Sequence, residues 1–299
     1  MKKLLFIMNP NAGVRRANRF LTEILTVFNR AGYDVQVSIT AGPGDATETA
    51  ARLAGQMDIV VCCGGDGTFN ETVAGLMRSG VNVPIGYIPA GSTNDFAISR
   101  NLSTVTVQAA KDIAEGTPVA YDIGCFGGRY FTYVASFGAF TRASYATPQN
   151  VKNAIGHMAY IFSGIQELSQ IRKFHVRMEL DDQIIEDDFL FGAISNSTSF
   201  AGIFSLDPEQ VDLRDGQFEV VLIRAPQNLT EVTEFIQAVQ NQTYNDCAMV
   251  TFLKSRKVKV YAPREMDWTL DGEKAEGAEY IEVENIHRAI GLMQREKDA

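Results

Sequence analysis

The chain is short of basic residues, of tryptophan, of cysteine and of long apolar runs. Lysine and arginine together number 27 against 36 aspartates and glutamates, a formal net charge of −9 over 299 residues. That deficit argues against general nucleic-acid binding, which favours a basic surface. It argues equally against strong electrostatic adhesion to an anionic bilayer. No run approaches the ~20 apolar residues of a spanning helix, so no transmembrane segment is expected. Met1-Lys2-Lys3 leads into the short apolar run from Leu4 to Met8 and then Asn9-Pro10, so no signal peptide is expected. The cysteines Cys62, Cys63, Cys125 and Cys247 show no metal-ligand spacing, and adjacent Cys62-Cys63 in an apolar run reads as packing. A reduced, cytoplasmic setting suits them. His157, His175 and His287 are scattered without partner spacing and gain no catalytic or metal role. Trp268 reads as packing. Internal repeats and low-complexity runs are absent.

What is present is a set of glycine-rich turns behind apolar strands. Asp58-Ile59-Val60-Val61-Cys62-Cys63 runs into Gly64-Gly65-Asp66-Gly67-Thr68-Phe69-Asn70-Glu71. An apolar run that ends in glycines is a buried strand stopping in a tight turn. The glycines let backbone approach a ligand, and Thr68 and Asn70 are placed to cap a helix opening near Glu71. Free N–H groups at such a helix start stabilise a phosphate. A second turn, Pro89-Ala90-Gly91-Ser92-Thr93-Asn94-Asp95-Phe96-Ala97, follows the strand-like stretch before it. Gly91, Ser92 and Thr93 leave room for a phosphate chain, while Asn94 and Asp95 suit a sugar, a metal or an acceptor hydroxyl. At the start, a strand at 4–8 meets Asn9-Pro10-Asn11-Ala12-Gly13, followed by Arg15, Arg16 and Arg19. Loops at the carboxyl ends of parallel strands share one crevice.

The hydropathy pattern changes character along the chain. Strands are expected at 4–8, 35–39, 59–63 and 85–88, and helices at 18–31, 46–55, 71–79 and 105–115. That alternation predicts a doubly wound α/β nucleotide domain with a parallel sheet over residues 1–123. From there to 285 the chain turns strand-rich, at 129–134, 174–180, 183–195, 217–223, 257–262 and 280–283, with Asp181-Asp182 as a hairpin turn. A mostly antiparallel β-sandwich domain over 124–285 is expected. Two helical stretches interrupt it, 149–172 and 229–240. The first has a broad apolar stripe, which reads as core or as part of an acyl-chain wall.

GGDGTFNE with PAGSTNDFA, preceded by NPNAG, resembles the catalytic domain of the diacylglycerol and sphingosine kinases, and most of all the soluble bacterial diacylglycerol kinase type. Further matches are Tyr121-Asp122-Ile123-Gly124, Asn196-Ser197, the Asp215-Gly216 turn and Leu270-Asp271-Gly272-Glu273. The resemblance implies an ATP- and Mg²⁺-dependent lipid kinase that meets the membrane peripherally, with a homodimer as its assembly and residues 286–299 returning to the first domain.

It also implies roles for individual residues. ATP lies on Asn9, Pro10, Asn11, Ala12, Gly13, Thr40, Gly64, Gly65, Asp66, Gly67, Thr68, Phe69, Asn70 and Ser92. Glu273 is the general base. Asp212, Asp215 and the Gln217 carbonyl hold a structural Mg²⁺. Asp122 and Asp215 join a basic residue in a network near the phosphates. Val14 stands where that basic residue is expected, so its role falls to Arg15 or Arg16. Apart from the resemblance, Asp66 and Asp95 are candidates for a catalytic Mg²⁺ bridged to ATP, since that ion takes one or two carboxylates plus phosphate oxygens. Phe131-Thr132-Tyr133 and Gly202-Ile203 depart from the family pattern and leave the acceptor open among diacylglycerol, phosphatidylglycerol, ceramide and a polyprenyl-type alcohol. The competing reading is a NAD kinase-like or other small-alcohol kinase, because GGDGT occurs there too.

Overall fold

A computed structural model describes residues 1–13, 16–138, 172–197, 199–200, 204–205 and 212–295. Most of the expected helix at 149–172, the pair Gly202-Ile203, Val14, Arg15 and His157 lie outside the described residues, as does the side chain of Arg16. The chain divides into two compact units, Met1–Ile123 with the stretch from His287 onward, and Gly124–Ile286.

The first unit alternates strand and helix. Its elements are β1 (Lys2–Met8), α1 (Arg16–Arg30), β2 (Tyr33–Ile39), α2 (Asp45–Leu53), β3 (Ile59–Gly64), α3 (Asp66–Ser79), β4 (Ile85–Pro89), α4 (Asp95–Ser99), α5 (Thr106–Glu115) and β5 (Thr117–Phe126). The strands line up as β2-β1-β3-β4, every pair parallel. Leu292 of the final strand pairs in parallel with Ile85 beyond β4. Leu4, Phe6 and Met8 pack with Ile24 and Phe28 of α1 and Ile113 of α5. Leu5 and Ile7, on the opposite face by the two-residue period, are equally buried. A strand covered on both faces is apolar throughout, which is why β1 and β3 read as continuous runs. Gly75 lets α3 lie against α2, because a Cβ there would collide with the Thr47 carbonyl and Ala50.

The second unit is antiparallel. It comprises β6 (Arg129–Phe131), β7 (Val134–Gly138), β8 (Phe174–Glu179), β9 (Ile184–Ser195), β10 (Ser199–Phe200), β11 (Phe204–Ser205), β12 (Phe218–Arg224), α6 (Leu229–Asn241), β13 (Val250–Ser255), β14 (Lys257–Tyr261), β15 (Trp268–Leu270), β16 (Glu273–Ala275) and β17 (Tyr280–Gln294), whose last residues belong to the first unit. The long β9 pairs with β8 along its first half, and with β7 and β12 along its second. β12 is buried on both faces. Val220 and Leu222 join a core with Phe131, Phe137 and Trp268. Val221 and Ile223 face Val232, Phe235 and Val239 of α6.

Several expectations need correction. The strand expected at 129–134 is two strands, broken at Thr132-Tyr133. The strand at 280–283 runs on to Gln294. β13, β15 and β16 were not anticipated. β15 and β16 have three residues each, and β13 mixes Thr, Lys and Ser with its apolar residues, so no period is clear in any of them.

Candidate active site

In the first unit three loops leave the carboxyl ends of β1, β3 and β4. Their glycines are there chiefly to let the loops meet one another. Gly13 sits at φ +54, and a Cβ on it would lie 2.5 Å from the Ala90 carbonyl oxygen. A Cβ on Gly91 would lie 2.7 Å from Gly65 Cα and 2.9 Å from Asn94 Oδ1. Hydrogen bonds join the same loops. Asn9 donates its backbone N–H to the Cys63 carbonyl at 2.9 Å and its side-chain amide to Thr68 Oγ1 at 3.0 Å. Ala90 donates to the Gly64 carbonyl at 2.7 Å, and Thr40 to the Met8 carbonyl at 2.9 Å.

The helix expected from Glu71 begins at Asp66, with extended Gly65 before it and no side-chain cap. Thr68 and Asn70 therefore do not cap it; both lie within its first turns and are buried. The physical reason is that Gly65 occupies the cap position and has no side chain to accept from the first N–H groups. Its first N–H groups and its dipole are left to face a ligand, the arrangement that suits an anion. Asn70 Oδ1 is buried with no hydrogen-bond partner among the described residues. Ser92 is exposed on the neighbouring loop.

Asp66 ties the second and third loops together. Its Oδ2 accepts from Thr93 Oγ1 at 3.2 Å and from the Asp95 N–H at 3.0 Å, and its Oδ1 from the Phe96 N–H at 3.2 Å and the Tyr87 hydroxyl at 3.4 Å. The carboxyl of Asp95 is held above its ordinary range, first by burial and then by the charge of Asp66. Two acidic groups so placed suit a cation. Asp95 is the better ligand of the two, because both oxygens of Asp66 already accept hydrogen bonds.

Asp122, on β5, is 1% exposed. Its Oδ1 accepts from His287 Nδ1 at 3.1 Å and from the Arg288 N–H at 2.7 Å. Sequence spacing does not pair His287 with Asp122, because the two lie 165 positions apart and touch only once the last strand returns to the first unit.

In the second unit Glu273 is the first residue of β16, paired across the hairpin with Leu270. It is not inside the turn, which consists of Asp271 at φ 49 and Gly272 at φ 88. Positive φ at both central residues is the tight hairpin form that matches strand twist, and Asp-Gly is a favoured pair for it. Asp271 turns back into the protein. It accepts the N–H groups of Thr132 (2.6 Å), Tyr133 (2.9 Å) and Val134 (2.9 Å) and the Thr132 hydroxyl (2.9 Å). Burial pushes its carboxyl up to about 6, against the pull of those donors. These bonds explain why β6 and β7 separate at Thr132-Tyr133. Glu273 itself is half exposed, with Arg129 Nη2 3.6 Å from Oε2.

Asp212 Oδ1 accepts the Arg214 N–H at 3.1 Å, and Asp215 Oδ1 accepts the Gln217 N–H at 2.9 Å. Lys254 Nζ stands 3.5 Å from Asp215 and 3.7 Å from Glu219. Glu219, unnoticed in the sequence, is 3% exposed. Burial pushes it up to about 7, Lys254 opposing and Asp215 adding to the rise. This corner of the unit is rich in acid, yet no group of three or more His, Cys, Asp or Glu able to hold a metal occurs among the described residues.

A nucleotide-type α/β unit followed by an antiparallel sandwich defines a class, and the comparisons fit it. Residues 3–126 match the diacylglycerol kinase catalytic domain model, and 133–291 match the YegS C-terminal NAD kinase beta sandwich-like domain model. A Bacillus subtilis (strain 168) diacylglycerol kinase is 31% identical, covering 99% of this chain and 98% of its own length. One from Staphylococcus carnosus (strain TM300) is 32% identical over 91% and 89%. A Bacillus anthracis str. Sterne structure described as a diacylglycerol kinase shares the fold at TM-score 0.76 and 21% identity, over 98% and 97% of the two chains. Another from that organism superposes at TM-score 0.81 with 22% identity. The chain belongs to the diacylglycerol kinase family, and it is a kinase of the lipid kinase class.

Proposed function

We propose that the chain transfers the γ-phosphate of ATP to the hydroxyl of diacylglycerol or a closely related lipid, giving phosphatidic acid or the corresponding lipid phosphate. The observation that carries this reading is the set of three interlocked loops around the uncapped start of α3. Asn9 to Gly13, Thr40, Gly64 to Asn70 and Ser92 take the nucleotide, with its phosphates against the first N–H groups of the helix. Asp95, aided by Asp66, fits a Mg²⁺ ion, which when bound neutralises phosphate charge. Asp212, Asp215 and the Gln217 carbonyl are proposed for a second, structural Mg²⁺; the surplus of buried acid beside Asp215 supports that role.

Phosphoryl transfer is chiefly positioning and charge neutralisation. Glu273 takes the proton from the lipid hydroxyl as its oxygen attacks phosphorus, and the bond to the ADP oxygen breaks. Arg129, beside that carboxylate, orients it. No described helix is long and apolar enough to cross a membrane, and the chain is acidic, so the lipid is met peripherally through local apolar contact at the cytoplasmic face. A homodimer is the proposed assembly. A second reading, a NAD kinase-like reaction on a soluble alcohol, draws on the sandwich match.

The test is ATP consumption with Mg²⁺ over a lipid panel in mixed micelles, with NAD as soluble acceptor, for wild type and Glu273→Gln. Phosphorylation of one lipid, reduced on the order of 10²-fold or more in the variant, is expected. Turnover of NAD alone would reject the acceptor. Lipid turnover untouched by the substitution would reject the base.

A further inference from the structure

Asp122 is a carboxylate with no exposed side-chain surface. A buried charge of that kind is costly unless donors hold it. The two donors on its Oδ1 come from consecutive residues, the ring of His287 and the backbone of Arg288. A carboxylate only accepts, so His287 donates through Nδ1–H, which fixes its tautomer. Consecutive residues of an extended strand point their side chains to opposite faces, so a ring and the next N–H do not ordinarily converge on one atom. They converge here all the same, and Arg288, which carries that N–H, sits at φ 52, left-handed backbone in the middle of a fifteen-residue strand. For a residue with a Cβ that conformation is strained. Such strain persists only where surrounding contacts over-determine it, and it gathers at functional sites. Neighbouring contacts hold β5 in place: Tyr121 donates its hydroxyl to Gln294 Oε1 at 3.2 Å, and the Arg100 guanidinium lies 5.2 Å from its ring.

We infer that His287 and the crank at Arg288 form a clamp that positions Asp122 for phosphoryl transfer. His287 is thus a positioning residue, acting through Asp122. The inference rests on the kinase reading above, in which Asp122 belongs to the network near the phosphates. The His287 side chain is 47% exposed, so replacing it removes little buried volume and leaves the fold largely intact.

The test compares wild type, His287→Leu, His287→Asn and Asp122→Asn, each checked for folding by thermal denaturation, on whichever acceptor the wild type phosphorylates. Asparagine places an N–H donor close to the position of His Nδ1, and leucine does not. His287→Leu is expected to lose kcat roughly a hundredfold, the scale of a misplaced group near a reacting centre, with the KM for ATP little changed. His287→Asn is expected to recover most of that loss. A folded leucine variant with wild-type kcat would overturn the inference, as would an asparagine variant no better than leucine. A wild type that phosphorylates only a soluble alcohol rejects the proposed lipid acceptor, while the His287 comparison, run on that alcohol, still decides the clamp. A wild type with no turnover on any acceptor rejects the kinase reading and the clamp with it.

Discussion

Glu219 shows how a single side chain records its surroundings. It lies on β12 opposite Lys254 of β13, and its two carboxylate oxygens accept no hydrogen bond among the described residues. With a folded value near 7 against an ordinary 4.5, the folded protein holds the proton more tightly than the unfolded chain. Its contribution to stability is therefore complete below about pH 4.5 and is lost as pH rises through 7, at no more than about 1.4 kcal/mol per pH unit for one proton. Glu219→Gln is expected to remove that dependence. Urea unfolding of both proteins in chelator from pH 4.5 to 8 should show curves that converge at the acid end and separate towards pH 7, the variant being the more stable there. Parallel curves would mean that Glu219 titrates as an ordinary glutamate. The glycines teach a related lesson. The sequence marks Gly13, Gly65 and Gly91 as places of close approach, but not what approaches. Gly13 and Gly91 would each run into a neighbouring loop if they carried a Cβ, and Gly65 and Gly91 lie in contact with each other.

Among the elements, the β15–β16 hairpin carries the proposed base. Its root is fixed by Asp271, which satisfies three successive N–H groups that the break between β6 and β7 would otherwise leave unpaired. Asp271→Ala is expected to cost about 3 kcal/mol or more, because unpaired buried donors cost about 1–3 kcal/mol each. Hydrogen exchange at Thr132, Tyr133 and Val134 should then rise well before the core of β9 exchanges; unchanged protection there would show that the strand break does not depend on Asp271. Leu270-Asp271-Gly272-Glu273 was legible as a turn bearing an acid, since Asp-Gly favours positive φ. Which acid faces inward was not legible, because that depends on donors about 140 positions away. Of the parallel strands, β1 and β3 were legible from their unbroken apolar runs and β2 from its alternation, and α6 was legible from its stripe. β15 and β16 were not, since three residues give no period. The start of α3 was misplaced because polar residues are the usual sign of a helix cap, and here glycine takes that position.

At the scale of the molecule, two units were legible from the change in pattern near Asp122, while the length of β17 was not, since charged and polar positions interrupt its apolar pattern after Val283. That strand begins in the sandwich and ends beside β4, so the C-terminal residues finish the sheet that the N-terminal residues begin. The Asp122–His287 pair exists only through this return. The four thiols are all free, and they divide two and two between the units, one pair buried and the other partly exposed. Cys62 and Cys63 lie fully buried on β3, their ionisation suppressed by burial, that of Cys63 to about 12. Cys125 and Cys247 are partly exposed and belong to the second unit. A thiolate is the reacting form, so a maleimide fluorophore should attach to the native protein at no more than two sites, both in the sandwich. Peptide mapping of the labelled protein should find dye on the Cys125 and Cys247 peptides and none on the peptide with Cys62-Cys63. The molecule thus comes with a built-in optical reporter for its acceptor half, while its nucleotide half stays dark.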